Sequence, residues 1–239
     1  MRWSLACILL FACEPQREAV EPAPEPPARA VAATAEEQTP EPAAPEPEPS
    51  SHLRDVDCVY LQPLGDVSAE TTQIVRDALA ETYGVELRVG PHRELPEDAY
   101  YTPRKRYRAE ILLDHLDGWL PDDCDRIVGI THKDISTTKE PHQDWGILGL
   151  GNMPGKSCVV SSFRVRKKLR AVPADERLAR VAIHELGHTL GLDHCPNVGC
   201  LMEDARGTVE TIDGETHLCS TCLKQIGWRG DPPPPRPGG

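Results

Sequence analysis

The twelve residues HELGHTLGLDHC, from His184 to Cys195, constrain this chain more than any other stretch. His184, His188, His194 and Glu185 can act together only if the backbone brings them to one place. A spacing of four puts His184 and His188 on one face of an α-helix, a turn apart. A helix that stops soon after His188 and reverses would return His194 to the same point. Gly191 is the residue type that tolerates the positive φ such a stop requires. Three imidazoles with a fourth position open form the ligand set of a catalytic zinc. Glu185, next to the first histidine, can reach a water on that ion and act as its general base. The competing reading is an amphipathic helix with surface histidines. A bare HExxH would leave that reading open, whereas HExxHxxGxxH fixes five positions.

Cys195 follows the last histidine directly. With Cys200 it forms one close pair, and Cys219 and Cys222 of CSTC form a second, with sixteen residues between Met202 and Cys219. Two close pairs across a loop suit a closed tetrahedral thiolate site, zinc first, with a structural role. Two disulfides and iron–sulfur ligation are the alternatives that the spacing leaves open. With a second zinc, His194 would serve one ion and Cys195 the other. His217, close to CSTC, reads as a surface residue. Cys58, Cys124 and Cys158 read as buried or free thiols.

HELGHTLGLDHCPNVGCLM with the later CSTC resembles the archaemetzincins, a branch of the metzincin metallopeptidases. Their pattern is HExxHxxGxxHC, four residues, CxM, a slightly longer gap and CxxC. RYRAEILLDHL, IVGITHKDI, DWGILGLG and CVVSSFRV are also similar to the family's segments upstream of the active-site helix. The resemblance spans roughly residues 51–227. It implies catalytic zinc on His184, His188 and His194, with Glu185 as the base. It implies structural zinc on Cys195, Cys200, Cys219 and Cys222, giving two zincs per chain. It also implies that Met202 forms a hydrophobic floor under the zinc ligands. The expected activity is hydrolysis of peptide bonds in a peptide or protein substrate, exo- or endopeptidase action being open. The alternative is a zinc-containing peptide-binding module with little or no turnover.

Upstream, the hydrophobic periods predict an α/β domain. Residues 57–67 read as a strand, and a helix follows with Ser68 as N-cap and Gly84 as its stop. VELRVG is a second strand, and RYRAEILLDHLDGWL a second helix with Ala109, Leu112, Leu113, Leu116 and Leu120 on its apolar side. DRIVGITHKDI runs from a strand into a loop. DWGILGLGNM and KSCVVSSFRV are two more strands, either of which could pair with an extended peptide. A third helix begins near Ala174 and carries the first histidines. The expected architecture is a metzincin-like single catalytic domain. A mixed twisted sheet is backed by helices, and the active-site helix leads into an irregular, zinc-stapled C-terminal part. Arg164, Arg166, Lys167, Lys168 and Arg170 read as a solvated basic face.

The ends of the chain read differently. Residues 1–12 suit a lipoprotein-type signal peptide, with Leu10-Phe11-Ala12-Cys13 resembling a bacterial lipobox and Cys13 as the lipid anchor. Residues 13–50 form an acidic tether: 14–50 hold nine Glu and ten Pro with no aromatic residue, too little apolar surface to offset ordering entropy. The catalytic domain is expected at 51–229 and a disordered Pro-rich tail at 230–239. These features place the chain as a monomer in a bacterial cell envelope, attached to the membrane through Cys13, or in the cytoplasm if the signal reading fails. The formal net charge of -12 and the lack of a long basic run argue against nucleic-acid partners.

Overall fold

The structure, a computed structural model, describes residues 53–166, 172–205 and 208–237. It begins with strand β1 (Cys58–Leu64), helix α1 (Ala69–Tyr83) and strand β2 (Glu86–Val89). Ser68 caps α1 by accepting the Thr71 N–H, and Gly84 ends it in the left-handed region. Short strands β3 (Tyr100–Tyr101) and β4 (Arg106–Arg108) precede helix α2 (Ala109–Trp119). Strands β5 (Arg126–Thr131), β6 (Ile135–Lys139), β7 (His142–Ile147), β8 (Gly149–Gly151) and β9 (Ser157–Ser161) follow. The C-terminal part holds α3 (Ser162–Val165), the long α4 (Ala174–Thr189), α5 (Val209–Gly214) and α6 (Ser220–Gln225).

The main sheet is mixed, in the order β2-β1-β5-β9-β8. The first four strands are parallel to their neighbours, and β8 closes one edge antiparallel to β9. Alternation along the central strands splits the core in two. Val128, Ile130, Cys158 and Val160 face α1 and α4. Ile127 and Val159 face the other way, onto Leu112, Leu113 and Leu116 of α2. The expected mixed sheet backed by helices is the fold observed.

Several local expectations are corrected. RYR, read as the start of the second helix, is strand β4; α2 begins at Ala109, and Leu120 lies beyond its end. DWGILGLG is not one strand. It breaks at Leu148, leaving β7 in a second sheet of order β3-β4-β6-β7 and β8 in the main one. Cys58 and Cys124 are not free thiols but a disulfide, whereas Cys158 is a buried thiol. The parallel pairing of Val59 with Arg126 brings the two cysteines' Cα atoms within 4.6 Å, a proximity between positions 66 apart that no local pattern announces. Arg164 is not part of a solvated face: it makes a two-point hydrogen-bonded pair with buried Asp134. Lys167, Lys168 and Arg170 lie outside the described residues.

The membrane expectation is also corrected. Among the described residues no helix is long and apolar enough to cross a membrane. The signal peptide, the Cys13 anchor and the tether lie outside the described residues. The signal-peptide, lipoprotein and membrane readings are therefore set aside. Residues 230–237 form neither helix nor strand, but Arg236 there pairs with Glu176 and Glu81.

Candidate metal centres

Helix α4 delivers His184, Glu185 and His188, and its end is a Schellman motif. The Leu192 N–H bonds the Gly187 carbonyl, and the Gly191 N–H bonds the His188 carbonyl. Gly191 has φ +83°, as the sequence requires. The reversal brings His194 back, and the three rings lie with centroids 4.7, 5.0 and 5.2 Å apart. One ring nitrogen from each falls within 4.8 Å of the others.

Their tautomers follow from the backbone. His184 Nδ1 donates to the Leu201 carbonyl at 2.8 Å, and His188 Nδ1 to the Leu192 carbonyl at 2.7 Å. Each Nε2 is thereby left with its lone pair facing the cluster. Those two Nε2 atoms are 3.0 Å apart. Two lone pairs so close repel unless a cation lies between them. Nitrogens bound tetrahedrally at about 2.0–2.1 Å from zinc would sit roughly 3.3 Å apart, so the spacing fits such an ion. Burial, and then His188, lowers His184 to about 3, and burial lowers His188, so both stay neutral and able to ligate at neutral pH.

Glu185 is held from the other side. Leu148 and Asn152 bond β9, so by alternation the backbone groups of Gly149 and Gly151 face the open edge of the sheet. The Gly151 N–H reaches the Glu185 carboxylate. A β-carbon on Gly149 would come within 2.5 Å of Glu185 Cγ, and one on Gly151 within 2.7 Å of the Glu185 carbonyl, so only glycines let strand and helix approach this closely. Burial raises the Glu185 carboxyl to about 8; a dication at the histidines would pull it back down. Of the two strands considered for peptide pairing, KSCVV is interior and GLG is the edge.

The four cysteines converge as a second cluster. Sγ–Sγ distances are 3.7 Å for Cys195–Cys219, 3.8 Å for Cys200–Cys222 and 3.7 Å for Cys219–Cys222. A disulfide needs about 2.05 Å. Tetrahedral ligation at about 2.3 Å from zinc separates sulfurs by roughly 3.8 Å. The four thiols thus fit a single ion and form no disulfide with one another. The Cys219 N–H and the Asn197 amide donate to Cys200 Sγ and Cys219 Sγ. Such bonds favour thiolates, and the hydrogen bond from Cys222 helps hold the Cys200 thiol at about 5. His217 is exposed and outside this cluster. Met202 is fully buried beneath α4.

The histidines open into a cavity of about 760 Å³. Its walls include β8, Trp145, Arg164, Asp204, Val209, Ile212 and Glu215. Glu215, and the buried Arg177 and Arg180 that hold α5, were not anticipated; no spacing signal marks them.

The comparisons with known proteins agree with this geometry. The model of Peptidase family M54 matches residues 63–227. An archaemetzincin of Halobacterium salinarum is 29% identical over 176 residues, covering 70% of this chain and 98% of that protein. The crystal structure of archaemetzincin from Archaeoglobus fulgidus superposes with a TM-score of 0.60 at 28% identity, over 71% of this chain and 99% of that one. That from Methanopyrus kandleri gives 0.59 at 29% identity, over 71% and 93%. These relatives are archaeal, which overturns the expected bacterial cell envelope.

Proposed function

This chain belongs to Peptidase family M54, the archaemetzincins, and from that membership we propose how its two clusters divide the work of a zinc-dependent peptidase. The catalytic unit spans residues 51–229. His184, His188 and His194 hold the catalytic zinc. Cys195, Cys200, Cys219 and Cys222 hold a second, structural zinc, which ties the segment after His194 to α6. Glu185 is the general base.

The observation that carries this reading is the meeting of three converging imidazoles, a buried carboxylate and an open strand edge in one cavity. Zinc, when bound, supplies Lewis acidity and lowers the pKa of water toward about 7. The chain supplies the rest. The Gly149 N–H and carbonyl and the Gly151 carbonyl are offered to an extended peptide by strand addition. Glu185 takes a proton from the attacking water and passes it to the leaving amine, while the Gly151 N–H holds its carboxylate in place.

Elemental analysis and peptide-library cleavage of wild type and Glu185→Gln test this. Two zincs per chain in both, with cleavage reduced by about 10²–10⁴-fold in the variant, is the expected result. Two zincs and no cleavage by the wild type would leave a peptide-binding module.

A further inference from the structure

We infer that the part of the cavity wall that carries Glu215 is a specificity site for a cationic side chain, lysine or arginine, of the peptide substrate. The inference rests on the peptidase reading above and adds a substrate class to it.

Glu215 lines the cavity yet is only 2% exposed. Its Oε1 is enclosed and has no hydrogen-bond partner. A buried carboxylate oxygen left unpaired is costly, and native proteins seldom keep one without a use. The neighbouring cation does not serve it. Arg180 spends its donors on Glu176, on the Ile212 and Asp213 carbonyls and on the Pro237 carbonyl. Glu203, Asp204 and Cys200 add negative potential around Glu215 and, with burial, raise its carboxyl to about 8 against the pull of Arg180. A cation arriving there would relieve both costs.

A metal ion is the wrong cation. Among the described residues only the three histidines and the four cysteines converge closely enough to ligate one. The walls indicate an organic one. Val209, Ile212 and Glu215 recur at intervals of three, so α5 and the residue that ends it present them to one side. Val181 and Ala205 line the same cavity, so apolar side chains stand beside the carboxylate. That combination suits a long methylene stem with a charged tip better than the short ammonium of a peptide N-terminus.

The test uses the zinc-loaded full chain and N-terminally acetylated peptides in which lysine or norleucine is stepped through each position. Wild type should prefer lysine at one position by roughly tenfold to a hundredfold in kcat/KM, the range of a charge-assisted hydrogen bond. Glu215→Gln should bring the ratio near one. Because the ratio is internal to each variant, a smaller folded fraction does not affect it. No preference for lysine, a preference unchanged in Glu215→Gln, or a preference seen only with a free N-terminus would overturn the inference. If no peptide is cleaved, the hydrolase reading fails separately. The same lysine-to-norleucine ratio is then read from peptide Kd values on the same two proteins, with the same outcomes for or against.

Discussion

Met202 lies against Gly187 so closely that a β-carbon on Gly187 would come within 2.5 Å of the Met202 sulfur. The glycine inside HELGH therefore meets a partner fifteen positions further along the chain only in three dimensions. Gly187→Ala sets two effects in opposition. Helix propensity favours alanine by about 1 kcal/mol. Overpacking a filled core costs about 1–3 kcal/mol. Met202 is fully buried, so the second should win. Urea denaturation should show net destabilisation, and the double variant of Gly187→Ala with Met202→Ala should be less destabilised than the sum of the two single variants.

Arg177 is almost wholly buried and makes a two-point pair with Asp213, while its Nη1 donates to the Val165 carbonyl. It ties α4 to α5, the wall of the cavity. Removing one partner of a buried pair strands the other, so Arg177→Ala should cost about 3–5 kcal/mol in chemical denaturation. A loss under 1 kcal/mol would mean that α5 is held by its apolar contacts alone.

Cys219 and Cys158 separate the structural site from ordinary burial. Cys219→Ser should lose one zinc equivalent and lower Tm. Cys158→Ala removes a buried thiol outside both clusters and should retain both metals. Equal metal content in the two variants would contradict the four-sulfur site.

Glu215 sets a pH dependence of defined sign. Burial first, then Glu203, raises its carboxyl to about 8 from the ordinary carboxylate range. Between those values the folded chain holds a proton that the unfolded chain has released. Stability from this group is thus full below the carboxylate range and is lost as pH rises through about 8. Glu215→Gln removes that slope, so its stability relative to wild type should grow between pH 5 and pH 9. An unchanged difference across that range would show Glu215 ionised throughout.

What the sequence determined by itself was whatever is local or written in a fixed spacing. His184 and His188 share a helix face because four residues make about one turn. Gly191 stops that helix because no side chain hinders positive φ. The cysteine pairs were readable as metal ligands, zinc first, with disulfides as an alternative until sulfur separations near 3.7 Å decided against them. The central strands and α1 were legible from their periods and caps. Only the tertiary structure decided the rest, because it depends on contacts between distant segments. DWGILGLG divides between two sheets, and GLG becomes the edge strand, because Glu185 needs glycines beside it. Cys58 meets Cys124 through the parallel register of β1 and β5. Glu215 looks in sequence like any surface acid; α5 and the residue that ends it bring it, with Val209 and Ile212, to the cavity wall, where it is almost wholly buried. A pattern of residue types records which faces are apolar, but which faces meet is settled by packing.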